Sequence, residues 1–361
     1  MITAIILLTL VMIVAFMFEY VNGFHDSANA ISTVVSTKAL SPRHAILYAA
    51  SLDFVGAFFG THVAHTIGAG MVSAESITQL VILCALLGAI TWNLLTWYLG
   101  LPSSSSHALI GGLLGAAIAH AYFNLDKAYE LVLKMPSFHL EHPALNVING
   151  HNVFYKVLVP MVASPMLGFG VGFLFIFILL AIFHKMRPEV LNRLFRKMQL
   201  FSSGFLAFSH GSNDAQKTMG IITLSLMTAG VIQDKTFSIP VWVICACALT
   251  LSLGTMTGGW KIIRTMSSKV VKMKPIHGFA VETASASIIL TASHFGFPVS
   301  TTHIISTAIM GVGSMVKVSA VKWGIVKNIV VAWVCTIPVC MALSATFYFI
   351  LLKTPLAHAG G

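Results

Sequence analysis

Ser209-His210-Gly211-Ser212-Asn213-Asp214-Ala215-Gln216-Lys217 places a run of polar and charged residues inside a segment that is otherwise apolar enough for lipid. Gly23-Phe24-His25-Asp26-Ser27-Ala28-Asn29 does the same near the N-terminus, with Asp26 lying 188 residues before Asp214. Each cluster is followed by a proline and a hydroxyl run ending in histidine. These are Pro102-Ser103-Ser104-Ser105-Ser106-His107 and Pro298-Val299-Ser300-Thr301-Thr302-His303, offset by 196. Two polar devices present twice, in the same order, mark an internal duplication. Duplicated polar breaks at membrane depth are the sequence mark of a secondary transporter, whose site lies where the repeats meet.

Composition agrees. The 361 residues are 57% hydrophobic and 9% charged, with a mean hydropathy of +0.88, which excludes a soluble domain. The expected class is an all-α polytopic membrane protein. Residues 2–22 carry no preceding basic residue and no small-residue cleavage site, so they read as a retained first span rather than a signal peptide. The net charge of +10 does not indicate nucleic acid, because the basic residues fall mainly in short loops between apolar segments. Five cysteines (Cys84, Cys245, Cys247, Cys335, Cys340) lie inside apolar segments and read as small core residues.

Apolar segments run at about 2–22, 44–68, 77–99, 107–121, 157–183, 201–230, 239–260, 276–297, 303–316 and 324–352. Basic loops at Lys38 and Arg43, Lys185 to Lys197, Arg264 to Lys274, and Lys317 to Lys327 belong in the cytoplasm by the positive-inside rule. The mixed segment 123–156, with Asp126, Lys127, Glu130, Lys134, Glu141, Lys156, His139, His142 and His151, suits the outer side. So does the loop 231–238, with Asp234 and Lys235. The chain threads through these assignments only if the two repeats have opposite orientation, with both termini outside. The expected organisation is a first transmembrane repeat (1–122), an extracytoplasmic loop (123–156), and a connecting span with a cytoplasmic basic loop (157–200). A second, inverted repeat (201–317) and a C-terminal span (318–361) complete it. Segments 77–121 and 276–316 each start and end on one side, as re-entrant helical hairpins or paired spans.

Pro102 and Pro298 end one helix and open another, so Ser103 to Ser106 and Ser300 to Thr302 fall in a first helical turn. Free N–H groups and hydroxyls there suit a tetrahedral oxyanion. N-capping or interhelical Ser/Thr packing is the plainer alternative. Asp26 and Asp214 are costly at membrane depth and so read as functional. Gly23 and Gly211 beside them are expected to permit an unwound backbone. Asn29, Asn213 and Gln216 add neutral oxygens, making a coupling-cation site of His25, Asp26, Asp214, Gln216 and Glu282. Lys217 could neutralise the anion, pair with Asp214, or snorkel to the surface. His25, His107, His210 and His303 are candidate proton relays. His62 and His65, three apart, lack a third ligand for a metal.

The two signatures resemble those of the Pit-type inorganic phosphate transporters, as do Trp92-Asn93-Leu94, Thr96-Trp97-Tyr98 and both hydroxyl runs. The resemblance spreads from Gly23 to Gly313. It implies a secondary phosphate transporter, commonly dimeric, with inverted repeats and broken helices and no enzymatic activity. Phosphate would lie between Ser104, Ser105 and Ser106 on one side and Ser300, Thr301 and Thr302 on the other. Asp26, Asn29, Asn213 and Asp214 would stand nearby. Arsenate would compete, and the cargo could be free phosphate or its complex with a divalent metal. No cofactor or resident metal is implied, only a coupling ion, H+ or Na+. Many members have Asn-Asp in the first signature; His25-Asp26 is similar to bacterial low-affinity members and favours a proton. A sulfate permease, an intramembrane phosphatase and a channel are the competing readings.

Overall fold

The computed structural model describes residues 2–72, 77–132, 148–232 and 237–358, and among them regular structure is helical apart from one isolated bridge, Val72 to Ile148. Lys134, His139, Glu141 and His142 of the expected outer loop lie outside the described residues, as do Asp234 and Lys235. The first half contains α1 (Ile2–Ser36), α2 (Pro42–Gly56), α3 (His62–Gly70), α4 (Gln79–Leu99) and α5 (Ser105–Val132). A short α6 (Gly150–Val153) leads through a π-helical turn into α7 (Val159–Phe183). The second half contains α8 (Pro188–Thr228), α9 (Val241–Thr257), α10 (Trp260–Arg264), α11 (Pro275–His294), α12 (Thr301–Val316) and α13 (Trp323–Leu351). Among the described residues, five helices are long and apolar enough to cross a membrane by themselves. Large apolar side chains such as Val162, Met166 and Leu174 on α7 and Val331 and Val334 on α13 are exposed, as a lipid-facing rim requires.

Helix ends follow from local sequence. Ser41 caps α2, with Pro42 at its first position, and the Thr78 side chain accepts from Val81 N at 3.2 Å to start α4. Gly100 closes α4 in the left-handed region (φ 68°), and Gly296 does the same after α11 (φ 72°). α8 starts well before the expected segment at 201, because Pro188 and Glu189 open it and the basic run Arg193 to Lys197 continues it. α5 likewise runs through Val132, beyond the expected loop start at 123.

One expectation is corrected. The polar clusters do not unwind their helices: α1 is continuous through Gly23 to Asn29, and α8 through Ser209 to Lys217. The glycines serve close packing instead. A Cβ on Gly23 would lie 2.3 Å from the Leu251 carbonyl oxygen, and one on Gly211 would lie 2.2 Å from that of Asp53. A Cβ on Gly254 would likewise lie 2.3 Å from the Tyr20 carbonyl oxygen, and one on Gly56 would lie 2.1 Å from that of Phe208. The backbone breaks fall elsewhere. α2 and α3 are separated at Gly60 (φ 96°), and α9 and α10 at Gly258 (φ 73°), the latter pair bent by 57°. Gly60 and Gly258 each stand two residues before the second half-helix.

These pairs describe a pseudo-two-fold. α1 crosses α9 as α8 crosses α2, and α5 packs on α13 as α12 packs on α7. Thus a Cβ on Gly115 would lie 2.2 Å from the Met341 carbonyl oxygen, and one on Gly311 would lie 2.2 Å from that of Phe169. The equivalent helices α1 and α8 are antiparallel: Glu19 meets Thr218, whereas further along α1 Asp26 meets His210. The α4–α5 and α11–α12 hairpins meet tip to tip, the His107 and His303 rings standing 4.9 Å apart. The fold is two inverted-topology repeats with broken helices and helical hairpins.

Candidate functional site

At the crossing of α1 and α8, ligand atoms of Asp26, His210 and Asp214 lie within 4.8 Å of one another, and all three residues are buried. Both hairpin tips close over this crossing. Asp26 Oδ1 faces His25 Nδ1 at 2.7 Å and receives the Thr302 hydroxyl at 3.5 Å; its Oδ2 accepts from Ser105 Oγ at 2.7 Å. Asp26 therefore binds a hydroxyl from each hairpin. Asn29 Nδ2 donates to Thr302 Oγ1 at 2.9 Å and to Thr301 Oγ1 at 3.3 Å. Asn213 Nδ2 donates to Asp214 Oδ1 at 2.8 Å and to the Val299 carbonyl at 3.3 Å. Ser106 Oγ reaches the same carbonyl at 3.4 Å.

Within the hydroxyl runs the roles divide. Ser104 Oγ accepts from His107 N, and Ser300 Oγ from His303 N, each at 3.2 Å. These two are N-caps, so the capping reading holds for them. Ser103 precedes α5 and contacts Thr96 Oγ1 at 2.8 Å and His25 Nε2 at 3.4 Å. The side chains that donate to an acid are Ser105 and Thr302, both to Asp26, while Thr301 faces Asn29.

Lys217 takes one of its three readings. Its Nζ donates to Asp214 Oδ1 at 2.6 Å and its side chain is fully buried, so it does not snorkel. Asp214 Oδ2 lies 3.4 Å from His210 Nε2. Asp214 Oδ2 and Asn213 Oδ1 have no hydrogen-bond partner among the described residues. Both are buried acceptor atoms.

Two expected members lie elsewhere. Gln216 braces the α2–α3 break: Oε1 accepts from Val63 N at 2.9 Å, and Nε2 donates to Ser212 O at 2.5 Å and Ser293 Oγ at 3.2 Å. Glu282 forms a separate buried knot. Its Oε1 accepts from Thr33 Oγ1 at 2.6 Å and Gln199 Nε2 at 2.8 Å, and its Oε2 from Ser202 Oγ at 2.5 Å. It joins α1, α8 and α11 two helical turns from Asp26. His107 and His303 touch at the hairpin contact, and His303 also packs on Trp333 with ring centroids 4.1 Å apart. Neither histidine is placed against Asp26 or Asp214 by a hydrogen bond among the described residues.

Sequence reasoning missed Asp53. It is buried on α2, its Oδ1 3.0 Å from His210 Nδ1 and its Oδ2 accepting from Thr255 Oγ1 at 2.7 Å. His210 therefore bridges Asp53 to Asp214. The available signal was an acid inside the apolar run 44–68. Glu19, also buried, receives the Thr218 hydroxyl one turn from Asn22.

Comparison with known proteins decides the family. Two stretches, 22–192 and 184–344, each match the model of the phosphate transporter family. The chain belongs to the phosphate transporter family. The double match agrees with two repeats. A protein of Bacillus subtilis (strain 168), described as a probable low-affinity inorganic phosphate transporter, is 44% identical over 348 residues, covering 96% of this chain and 97% of its own. One of Rhizobium meliloti (strain 1021), with the same description, is 43% identical over 337 residues, covering 93% and 94%. A solved structure described as "The sodium-dependent phosphate transporter" superposes with a TM-score of 0.83 at 26% identity, covering 96% of this chain and 98% of that one. The phosphate transporter family consists of transporters, which removes the intramembrane-phosphatase alternative. The chain is a membrane protein.

Proposed function

We propose that this chain carries inorganic phosphate across the cell membrane by alternating access, in symport with protons. One observation carries the reading: Asp26 binds Ser105 of one hairpin and Thr302 of the other, with His25 and His210 at hand. A phosphate held at that junction would take hydrogen bonds from Ser105, Ser106, Thr301, Thr302 and Asn29. Asp26 and Asp214 repel the anion until a cation neutralises them, which is how cation and phosphate movement become coupled. A proton on the His25–Asp26 pair supplies that neutralisation, since imidazole titrates near neutral pH. Asp53 and His210 form a second pair with room for a proton beside Asp214.

Several finer points belong to the same reading. Both termini face outward, the unit is a homodimer, and arsenate competes as a near isostere. The cargo is phosphate, free or complexed with a divalent metal. A sodium-coupled mechanism is the second reading. It is favoured by the sodium dependence of the structural neighbour and by the buried acceptor Asn213 Oδ1, which has no hydrogen-bond donor among the described residues and suits a hard cation.

The test is uptake of ³²P-phosphate into proteoliposomes under a pH gradient and, separately, a sodium gradient, with Asp26→Asn and Asp214→Asn alongside. Proton-driven uptake that both variants abolish is expected. Sodium dependence at constant pH would replace proton coupling by the second reading. Absence of uptake under both gradients would remove symport.

A further inference from the structure

The pseudo-two-fold places unlike chemistry at equivalent positions beside the two helix breaks. Near the α2–α3 break is a cavity of about 490 Å³ lined by Gly60, His62, Ser212, Thr291, Ser293 and His294, among others. Among the described residues, no carboxylate lines it. The His62 and His294 rings stand 5.9 Å apart across it, and Ser212 in its wall directly precedes Asn213 of the candidate site. Gln216 holds the rim together through Val63 N and Ser293 Oγ.

The paired glycine contacts and glycine turns give the counterpart of each wall residue. Gly258 stands for Gly60, Trp260 for His62, Phe24 for Ser212, Trp97 for Ser293 and Tyr98 for His294. Bulky rings therefore replace small and hydrogen-bonding groups. Phe24 meets Trp97 edge to face at 5.4 Å. Lys261 Nζ lies 5.2 Å from the Trp97 ring and 4.2 Å from the Tyr98 ring, and donates to the Tyr98 carbonyl at 3.3 Å. One side offers a roomy, donor-lined recess. The other carries packed rings in its place.

We propose that the His62–His294 cavity is an entry site, where an oxyanion waits before passing the α11–α12 tip to the Asp26–Asp214 crossing. The Phe24–Trp97–Tyr98–Lys261 cluster is the closed gate at the equivalent place on the opposite side. The chemistry favours an anion: the His62 and His294 imidazoles and the Ser293 hydroxyl, which accepts from Gln216, can donate, and none of the described lining residues is an acid. The inference rests on the phosphate-transport reading and adds to it a subsite and a direction. By the loop charges, the face on which α3 ends is the outer one.

Two measurements test it. In proteoliposomes, the double variant His62→Gln/His294→Gln should raise the KM for phosphate about fivefold and leave the maximal rate within about twofold, as loss of a binding step outside the translocation site requires. An unchanged KM in a variant that still transports would overturn the entry site while leaving phosphate transport intact. Wild-type protein that takes up no phosphate would instead defeat the underlying reading. The second measurement asks about access, in a background with the five native cysteines replaced. In right-side-out vesicles, His294→Cys should react with a membrane-impermeant thiol reagent, phosphate should slow the reaction, and Tyr98→Cys should stay unlabelled. Equal labelling of both positions, or no protection by phosphate, would sink the proposal.

Discussion

Lys217 Nζ lies 2.6 Å from Asp214 Oδ1, and both side chains are fully buried. Its equivalent in the first repeat is Asn29, which donates to the hairpin hydroxyls Thr301 and Thr302 instead. The two carboxylates of the crossing thus have different permanent company. Asp214 is paired with the Lys217 ammonium and stands beside His210, whereas Asp26 is paired with the His25 ring.

Breaking that pair from one side leaves a charge uncompensated. Lys217→Met should cost about 3–5 kcal/mol and lower the thermal midpoint in detergent sharply. The double variant Asp214→Asn/Lys217→Met should recover most of the midpoint and none of the uptake. Recovery of transport in the double variant would reduce both residues to structural roles.

His25 occupies the position that Asn213 holds in the second repeat, so His25→Asn restores the symmetric amide. Proton-driven uptake should fall by about tenfold or more, the equivalent of a lost charge-assisted hydrogen bond of roughly 1.5–3 kcal/mol. Any sodium dependence should rise in the same variant. Uptake rates under the two gradients measure both changes, and an unaltered proton drive would make the imidazole a packing group.

Glu282 collects three neutral donors, from Thr33, Gln199 and Ser202. Glu282→Ala strands them in a buried place and should cost about 1–3 kcal/mol for each donor left without a partner. Glu282→Gln keeps one acceptor oxygen and should lose clearly less. Thermal midpoints of the two purified variants check the order; equal losses would mean that the knot tolerates rearrangement.

Gly115 and Gly311 each admit a carbonyl where a Cβ would sit 2.2 Å away. Gly115→Val and Gly311→Val should therefore separate α5 from α13 and α12 from α7. Overpacking of this kind costs about 1–3 kcal/mol, or more when backbone must move. Similar falls in folded yield for both variants would reflect the two-fold; Gly170→Val, where open space surrounds the Cβ, is the control.

Much of this architecture is legible in the sequence. The duplication and the inversion follow from composition, loop charge and motif order, and the meeting of Asp26 with the hydroxyl runs was implied by the family resemblance. Those signals are one-dimensional and survive in the string of residues. The unwinding expected at Gly23 and Gly211 failed for a definite reason. A glycine in a polar cluster serves equally for a break or for close approach, and only the carbonyls of Leu251 and Asp53 distinguish the two. That Gln216 and Glu282 bond away from the Asp26–Asp214 crossing was not legible either, since a polar side chain near a motif has a residue number but no direction.

The sequence alone determined that the chain is helical, membrane-borne and duplicated, because hydropathy and repetition are properties of the string. Which acid faces which base was decided only by the tertiary structure. Asp53, remote in sequence from both signatures, reaches His210 because α2 crosses α8 at Gly211, where the absence of a side chain lets the two backbones touch.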